Sequence, residues 1–213
     1  MDILDLREQR QEEEKIANTP LPDKGAYSFK KGLSYVWETF KVLIIALVII
    51  VPVRLYVVQP FIVEGDSMVP NFHNGEYLIV DEIGYRFNEP QRGQVVIFHP
   101  PNDPKEYYIK RIIGLPGETV ELKDGNIYIY NNEAKNGFRL HEDQYLMNSD
   151  ITEDLTITLQ SDQYYVLGDN RYNSKDSRVF GPITMQEIRG RAVLRAYPFK
   201  NFSLMEQPKY PSQ

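Results

Sequence analysis

An uncharged apolar run near the N-terminus constrains the fold of this chain more than any other feature. No residue from Val42 to Val53 is charged, and the longer run 42–58 carries only Arg54. As a helix these residues extend about 25 Å, slightly less than the hydrocarbon core of a bilayer, which is about 30 Å thick. Since Arg54 can reach toward the interface, we expect one transmembrane anchor over 40–59. A cleaved signal peptide fits less well, because 41 largely polar residues precede the run and no small-x-small site follows it.

The basic residues around this run predict its orientation. Four lysines precede it closely, namely Lys24, Lys30, Lys31 and Lys41. After Arg54, the next basic residue is Arg86. Because positively charged flanks stay in the cytoplasm, we expect a single-pass protein of the cell membrane, with residues 1–39 in the cytoplasm and residues 60–204 outside it.

The overall composition narrows the range of functions. The chain has 213 residues, a net charge of −6 and no cysteine. Its length fits one domain beside the anchor. The lack of thiols excludes cysteine catalysis, disulfides and Cys-ligated zinc, and the acidic balance argues against nucleic acid as a partner. No HExxH motif or other metal-ligand spacing occurs, so we expect no metal and no cofactor.

Beyond the anchor, β-branched and aromatic runs predict a mainly β domain. The predicted strands are 76–83, 93–98, 107–114, 118–122, 126–130, 163–168 and 190–198. Asp124-Gly125 lies between two of them and predicts a hairpin. We expect one short helix, around 184–188. Residues 131–161 are polar and poorly patterned, which indicates a variable insertion, and the tail 205–213 has little to bury.

Two segments of the β region contain the parts of a serine hydrolase site. Ser67 follows Gly65 and Asp66, which permit a tight turn that presents the hydroxyl together with backbone N–H groups. In the predicted strand 107–114, Lys110 lies between apolar neighbours. A desolvated lysine can lose its proton near pH 8 and act as a general base. An ordinary surface turn and a lysine that extends to solvent explain the same residues.

The three histidines offer a rival mechanism. His73 lies six residues after Ser67, His99 precedes two prolines, and His141 lies in the predicted insertion. A Ser/His/Asp triad is recognised by its geometry, which a sequence does not contain. We therefore keep the triad as the less favoured alternative to a serine–lysine pair.

A third polar segment, 167–183, follows a predicted strand and is rich in Asp, Asn, Ser and Arg. By itself it predicts Asx-turns and an Asp176–Arg178 ion pair. With this segment and the two described above, the chain resembles the bacterial type I signal peptidases in their compact single-span form. The resemblance covers nearly the whole chain and rests on one N-terminal span followed by four motifs: GDSMVPNF (65–72), GEYLIVDEIGYRF (75–87), YYIKRIIGLPGE (107–118) and GDNRYNSKDSR (168–178).

This resemblance implies a signal-peptidase-like all-β catalytic domain with a Ser/Lys dyad. Ser67 matches the nucleophile and Lys110 matches the general base. The supporting positions of the family match Ser174, Asp169, Asp176 and Arg178. The resemblance implies that Ser174 orients the lysine ammonium. It also implies that Asp176 and Arg178 form a structural ion pair behind the site. Some members use a serine hydroxyl two positions before the nucleophile as a second oxyanion donor, and that position is Gly65 here.

The resemblance also implies a substrate and partners. The family cuts exported preproteins after a small-x-small site, typically Ala-x-Ala, and the peptide pairs as an extended strand whose alternate side chains enter shallow pockets. The residues that match pocket positions are Val63, Met68, Phe72, Tyr108 and Ile109. We expect the signal peptide region of exported preproteins and the lipid bilayer as partners. Two alternatives stay open: a peptidase dedicated to one substrate class such as pilins, and a non-catalytic membrane-tethered domain that binds extended peptides.

Overall fold

One long helix precedes the β region. The computed structural model describes residue 10 and residues 13–14, 24–52, 58–146, 153–208 and 210. Helix α1 runs from Lys24 to Pro52, and its large apolar side chains from Val42 to Val51 are exposed. None of the helices in these ranges combines the length and the hydropathy that crossing a membrane requires. The predicted anchor 40–59 also includes residues 53–57, which lie outside the described residues.

The rest of the described chain is mainly β structure, as the sequence predicts. Its strands are β1 (Val58–Ile62), β2 (Tyr77–Asp81), β3 (Val95–Phe98), β4 (Tyr108–Gly114), β5 (Thr119–Lys123), β6 (Asn126–Tyr130), β7 (Phe138–Arg139), β8 (Leu155–Thr158), β9 (Gln163–Leu167), β10 (Ile183–Thr184), β11 (Ile188–Tyr197) and β12 (Ser203–Leu204). They form a large sheet in the order β1-β2-β11-β3-β4-β9-β10, with β12 beside β11. A small sheet has the order β7-β6-β5-β8. Neighbouring strands in both sheets are antiparallel.

The seven strands predicted from the sequence are confirmed, and their ends differ by no more than two residues from the observed ones. The predicted hairpin joins β5 to β6, with Lys123 paired to Asn126. Its turn residues Asp124 and Gly125 both have positive φ, 49° and 76°. A type I′ turn requires this geometry, which matches the twist of the flanking strands.

The helix predicted at 184–188 is wrong. Residues 183–184 form β10, which pairs with β9, and Ile188 begins β11. The N–H and the hydroxyl of Thr184 both donate to the Glu187 carboxylate, and such side-chain bonds stabilise a turn in place of a helix. The short helix α2 lies earlier, at Ser177–Phe180.

The segments expected to be irregular also contribute to the fold. The predicted insertion 131–161 contains β7 and β8, which form the two edges of the small sheet, while residues 147–152 lie outside the described residues. In the tail, Tyr210 packs against the core cluster around the small sheet and lies close to Gly93. The expectation that the tail buries little is therefore wrong at this residue.

Two buried clusters position the strands and the loop that matter for function. Between the sheets, Ile113 of β4 and Tyr165 and Leu167 of β9 pack against apolar residues of β5 and β6. On the large sheet, side chains of the loop after β1 pack against Leu78 and neighbouring residues. Burying one such side chain contributes about 1.5–3 kcal/mol, so both regions are held firmly.

Candidate active site

The loop that follows β1 presents Ser67. The Gly75 N–H donates to Val63 O at 2.8 Å, which joins the two ends of the loop. Gly65 has a φ of +80°, and its N–H donates to Asn74 Oδ1 at 3.0 Å. Because L-residues rarely adopt this φ, glycine is the residue that allows this turn immediately before the serine.

Strand β4 brings Lys110 to the same point. The lysine is 3% exposed, and its Nζ donates to Ser67 Oγ at 2.7 Å and to Ile109 O at 2.8 Å. The Tyr108 ring lies 5.4 Å from the same nitrogen. The neighbouring Arg111 points to the opposite face of the strand, as the alternation of side chains predicts. The partly buried serine hydroxyl and the buried lysine amine are thus in direct contact.

Burial changes the chemistry of this lysine. Removal from water lowers the pKa of Lys110 to about 8 from its ordinary value of 10.5, against the opposing effect of the Asp176 and Asp169 carboxylates. Desolvation has this sign because it disfavours the charged form. A substantial fraction of the amine is therefore neutral at mildly alkaline pH and can accept the Ser67 proton.

A polar turn after β9 holds both partners in place. The Asn170 N–H donates to Ser67 O at 3.0 Å, and the Asp169 carboxylate accepts two bonds from Arg111, at 2.8 and 2.6 Å. A Cβ on Gly168 would lie 2.5 Å from Ser67 O and would overlap the Ser174 hydroxyl. This close backbone approach explains why glycine stands at position 168.

The predicted supporting residues lie beside this turn. Asp176 is fully buried, pairs with Arg178 at 2.8 Å and accepts the Gly168 N–H at 3.0 Å. It also caps α2. Ser174 Oγ is buried next to Gly168 and has no hydrogen-bond partner among the described residues. The expected bond from Ser174 to the ammonium of Lys110 is therefore not formed in this structure.

A cavity of about 620 Å³ opens beside the serine and the lysine. Its walls come from the end of β1 with the residues after it and from the start of β4. The expected pocket residues Val63, Tyr108 and Ile109 line it, together with Ser67 and Lys110. Its lining combines apolar side chains of both strand segments with charged ones such as Glu64 and Lys105. A cavity bounded by strand segments suits an extended peptide.

Met68 and Phe72 do not line this cavity, which corrects their expected role as pocket residues. They are 1% and 3% exposed and belong to the core cluster of the large sheet. Met68 Sδ accepts the Asp169 N–H at 3.4 Å, and the Phe72 ring lies 5.3 Å from the Arg195 guanidinium. The reason is the helical turn between them, where the Phe72 N–H donates to Met68 O, so that both side chains point into the core.

The rival triad receives no support from the described residues. His73 and His141 are exposed, and His99 Nδ1 lies 3.0 Å from Glu106 O. None of the three has a hydrogen bond to Ser67 within the part of the chain that the structure describes. That part also contains no cluster of His, Asp or Glu residues suited to a metal ion.

Several residues of this region were not singled out from the sequence. Asn71 Nδ2 donates to both Asp169 Oδ2 and Tyr145 O at 2.8 Å, and the Tyr145 ring lies 4.1 Å from the Arg111 guanidinium. A buried ion pair between Arg171 and Glu142 lies next to them. The alternation of side chains along β4 indicated that Arg111 points away from Lys110. No local pattern marks Asn71, Tyr145 or Glu142, because their partners are distant in sequence.

Comparisons with known proteins identify the family that this chain resembles. The family described as "Signal peptidase, peptidase S26" matches residues 36–197. "Probable signal peptidase I-1" of Synechocystis sp. is 32% identical over 190 residues, covering 86% of this chain and 89% of that protein. "Signal peptidase I" of Leptolyngbya laminosa is 34% identical over 88% of this chain and 92% of its own. "Signal peptidase I T" of Bacillus subtilis is 36% identical over 88% of this chain and 95% of its own.

Proposed function

Since the chain belongs to the signal peptidase family, peptidase S26, we propose that it removes signal peptides with Ser67 as the nucleophile and Lys110 as the general base. The observation that carries this assignment is the 2.7 Å contact between Ser67 Oγ and Lys110 Nζ. It joins a hydroxyl to a buried amine whose pKa lies near 8. An activated serine needs a base within hydrogen-bond reach and in its neutral form.

The reaction follows from these two groups. Neutral Lys110 takes the proton of Ser67 as Oγ attacks the scissile carbonyl carbon, and a tetrahedral intermediate forms. When the C–N bond breaks, the lysine ammonium gives its proton to the leaving amine, which is the new N-terminus of the mature protein. Lys110, again neutral, then takes a proton from a water molecule that attacks the acyl-enzyme ester. The signal peptide leaves with a free carboxylate, and Ser67 regains its hydrogen.

The oxyanion needs hydrogen-bond donors near the nucleophile. We assign one donor to the backbone N–H of Ser67. The position of the second family donor is Gly65, which has no hydroxyl; a Cβ at Gly65 would meet no atom within 4 Å. Position 65 therefore offers no side-chain donor, and the Ser67 N–H is the donor that we assign.

We propose that the substrate binds as an extended strand along the start of β4. Residues Tyr108–Lys110 pair with β3 on one side, whereas the pairing of β9 with β4 begins at Arg111. Among the described residues, no strand pairs with the second edge of Tyr108–Lys110, which faces the cavity. A substrate strand can therefore pair with this edge. Side chains two residues apart point the same way along a strand, so the peptide directs alternate side chains at the wall that contains Val63 and Ile109. Small side chains at these alternate positions of the peptide fit a shallow wall, which excludes large side chains sterically.

We further propose that residues 40–59, which contain the apolar run 42–58, anchor the protein in the cell membrane. α1 is continuous through most of it, and its apolar side chains are exposed. The preceding lysines favour a cytoplasmic location for residues 1–39. Ser67 follows Val58 by nine residues, which reach at most about 30 Å. The catalytic serine then lies close to the outer surface of the bilayer, where the cleavage site of a translocated preprotein emerges.

A cleavage assay tests the dyad. The full-length protein in detergent micelles is given a preprotein with an Ala-x-Ala site, and the products are separated by size. We expect Ser67→Ala and Lys110→Ala to reduce kcat at least 10³-fold, the typical loss when a nucleophile or its base is removed. The exposed residues Ser161 and Lys123 provide matched controls, and Ser161→Ala and Lys123→Ala should cleave normally.

The same assay separates the alternatives. Normal cleavage by either dyad variant contradicts the mechanism, and binding of the preprotein without cleavage by the unmodified protein indicates a peptide-binding domain. Cleavage of several unrelated preproteins supports a general signal peptidase. Cleavage of a single preprotein from the same set favours a peptidase dedicated to one substrate class.

A further inference from the structure

A buried ion pair connects the small-sheet region to the catalytic turn. The side chains of Arg171 and Glu142 are 1% and 8% exposed, and the Arg171 guanidinium uses both terminal nitrogens to bind the carboxylate, one of them at 2.8 Å. The Tyr145 hydroxyl donates to the same carboxylate at 2.6 Å. A buried bidentate pair of this kind is rigid, because each charge would be costly to leave without its partner.

Arg171 extends this connection to the turn that touches the nucleophile. Its Nε donates to Gly168 O at 2.9 Å. Two residues further along the same turn, the Asn170 N–H donates to Ser67 O at 3.0 Å and its side-chain amide donates to Asp66 O at 3.1 Å. The guanidinium therefore restrains the turn whose backbone and side chain hold the serine.

The segment that carries Glu142 also reaches the strand of the lysine. Tyr145 stacks on Arg111, with the guanidinium 4.1 Å from the ring, and Arg111 directly follows Lys110 in β4. Asn71 donates to Tyr145 O and to Asp169 Oδ2. One short segment thus contacts the surroundings of both members of the dyad, although it touches neither of them.

We propose that Glu142 is a positioning residue for peptide cleavage, because through Arg171 it fixes the 168–170 turn that holds Ser67 against Lys110. The inference rests on the proposed function of the dyad. Replacement of the carboxylate leaves the Arg171 guanidinium without its countercharge in a dry environment, and the guanidinium then moves away from Gly168 O. A displacement of about 1 Å between reacting groups costs on the order of 100-fold in rate.

The test compares two buried Arg–Glu pairs of the same protein. Glu118 forms a bidentate pair with Arg92, at 2.9 and 2.7 Å, with side chains 7% and 10% exposed. That pair has no contact with the 168–170 turn among its described hydrogen bonds. Full-length Glu142→Gln and Glu118→Gln are assayed on the Ala-x-Ala preprotein well below their melting temperatures. We expect kcat to fall about 10- to 100-fold in Glu142→Gln, with KM changed less than twofold, and to stay within twofold in Glu118→Gln.

Two further variants separate positioning from general destabilisation. If Glu142 acts through Arg171, Glu142→Gln combined with Arg171→Gln loses no more kcat than Arg171→Gln alone, since residues in one network are not additive. Tyr145→Phe removes one hydrogen bond to the carboxylate and keeps the ring, so it should fold and lose kcat by a few-fold. Additive losses, an unchanged kcat in Glu142→Gln, or an equal loss in Glu118→Gln would each overturn the proposal.

Hydrogen exchange keeps this inference distinguishable from the function itself. We expect amide exchange of peptides that cover residues 64–72 to be faster in Glu142→Gln than in the unmodified protein and in Glu118→Gln. Equal protection in all three proteins contradicts the positioning role. If the unmodified protein does not cleave while this exchange difference is present, the proposed function fails and the restraint on the Ser67 loop stands.

Discussion

The rate of cleavage should rise with pH and level off near pH 9, because the proposed base is active only when neutral. The perturbation is a change of pH from 6.5 to 10 at fixed ionic strength. Burial lowers the pKa of Lys110 to about 8, and the two carboxylates that act on it, Asp176 and Asp169, have the opposing, smaller effect. The direction is therefore set by desolvation of the ammonium.

The expected magnitude follows from the fraction of neutral amine. With a pKa near 8, this fraction is about 9% at pH 7, about 50% at pH 8 and about 91% at pH 9. The rate then rises about tenfold between pH 7 and pH 9 and changes little above that. A lysine with the ordinary pKa of 10.5 would give a rise of about 100-fold over the same interval and no plateau below pH 11.

The assay measures kcat/KM for the Ala-x-Ala preprotein at substrate concentrations well below KM, since kcat/KM reports the ionisation of groups in the free enzyme. Circular dichroism at each pH verifies that the protein stays folded. A profile that continues to rise in proportion to hydroxide through pH 9.5 refutes the argument from burial. A profile that is flat from pH 6.5 to pH 9 refutes the role of Lys110 as the base.

Two other predictions concern stability and packing. The folded-state pKa of Lys110 lies below its unfolded value, so the unfolded state binds more protons between about pH 8 and 10.5, and native stability rises with pH in that window. Lys110→Met should therefore raise the free energy of unfolding by up to about 3 kcal/mol at pH 7, with a smaller gain at pH 10. Urea denaturation of both proteins at the two pH values measures the gain. An equal gain at pH 7 and pH 10 would contradict the prediction. Gly168→Ala places a methyl group against Ser67 O and the Ser174 hydroxyl, and should reduce kcat about 100-fold while lowering stability by about 1–3 kcal/mol. A Gly168→Ala protein with normal kcat in the cleavage assay would contradict the close approach.

Much of the β architecture was accessible from the sequence because its signals are local. Runs of β-branched and aromatic residues predicted seven strands, and Asp124-Gly125 predicted a hairpin, since such a turn needs residues that tolerate positive φ. Short segments were harder. β7, β10 and β12 have two residues each, too few for a period of two to be recognised, and the helix predicted at 184–188 was replaced by a turn that a side-chain bond stabilises.

The candidate site was only partly predictable. The order of the motifs marked Ser67 and Lys110, and the alternation along β4 predicted that Arg111 points away from the lysine. Met68 was expected at the pocket because it matches a pocket position of the family, yet the local helical turn directs its side chain into the core. Glu142 carried no signal at all, because its partner Arg171 is 29 residues away and lies in another element.

The sequence alone determined the chemical identity of the parts: an apolar N-terminal run, a mainly β region, and a serine and a lysine in motifs of one family. Each of these depends on residue type and short-range spacing, which the chain carries locally. The tertiary structure decided whether the lysine is buried, which side chains reach the cavity, and what holds the serine in place. Burial and contact depend on segments far apart in the chain, and pairing of the sheet strands brings those segments together.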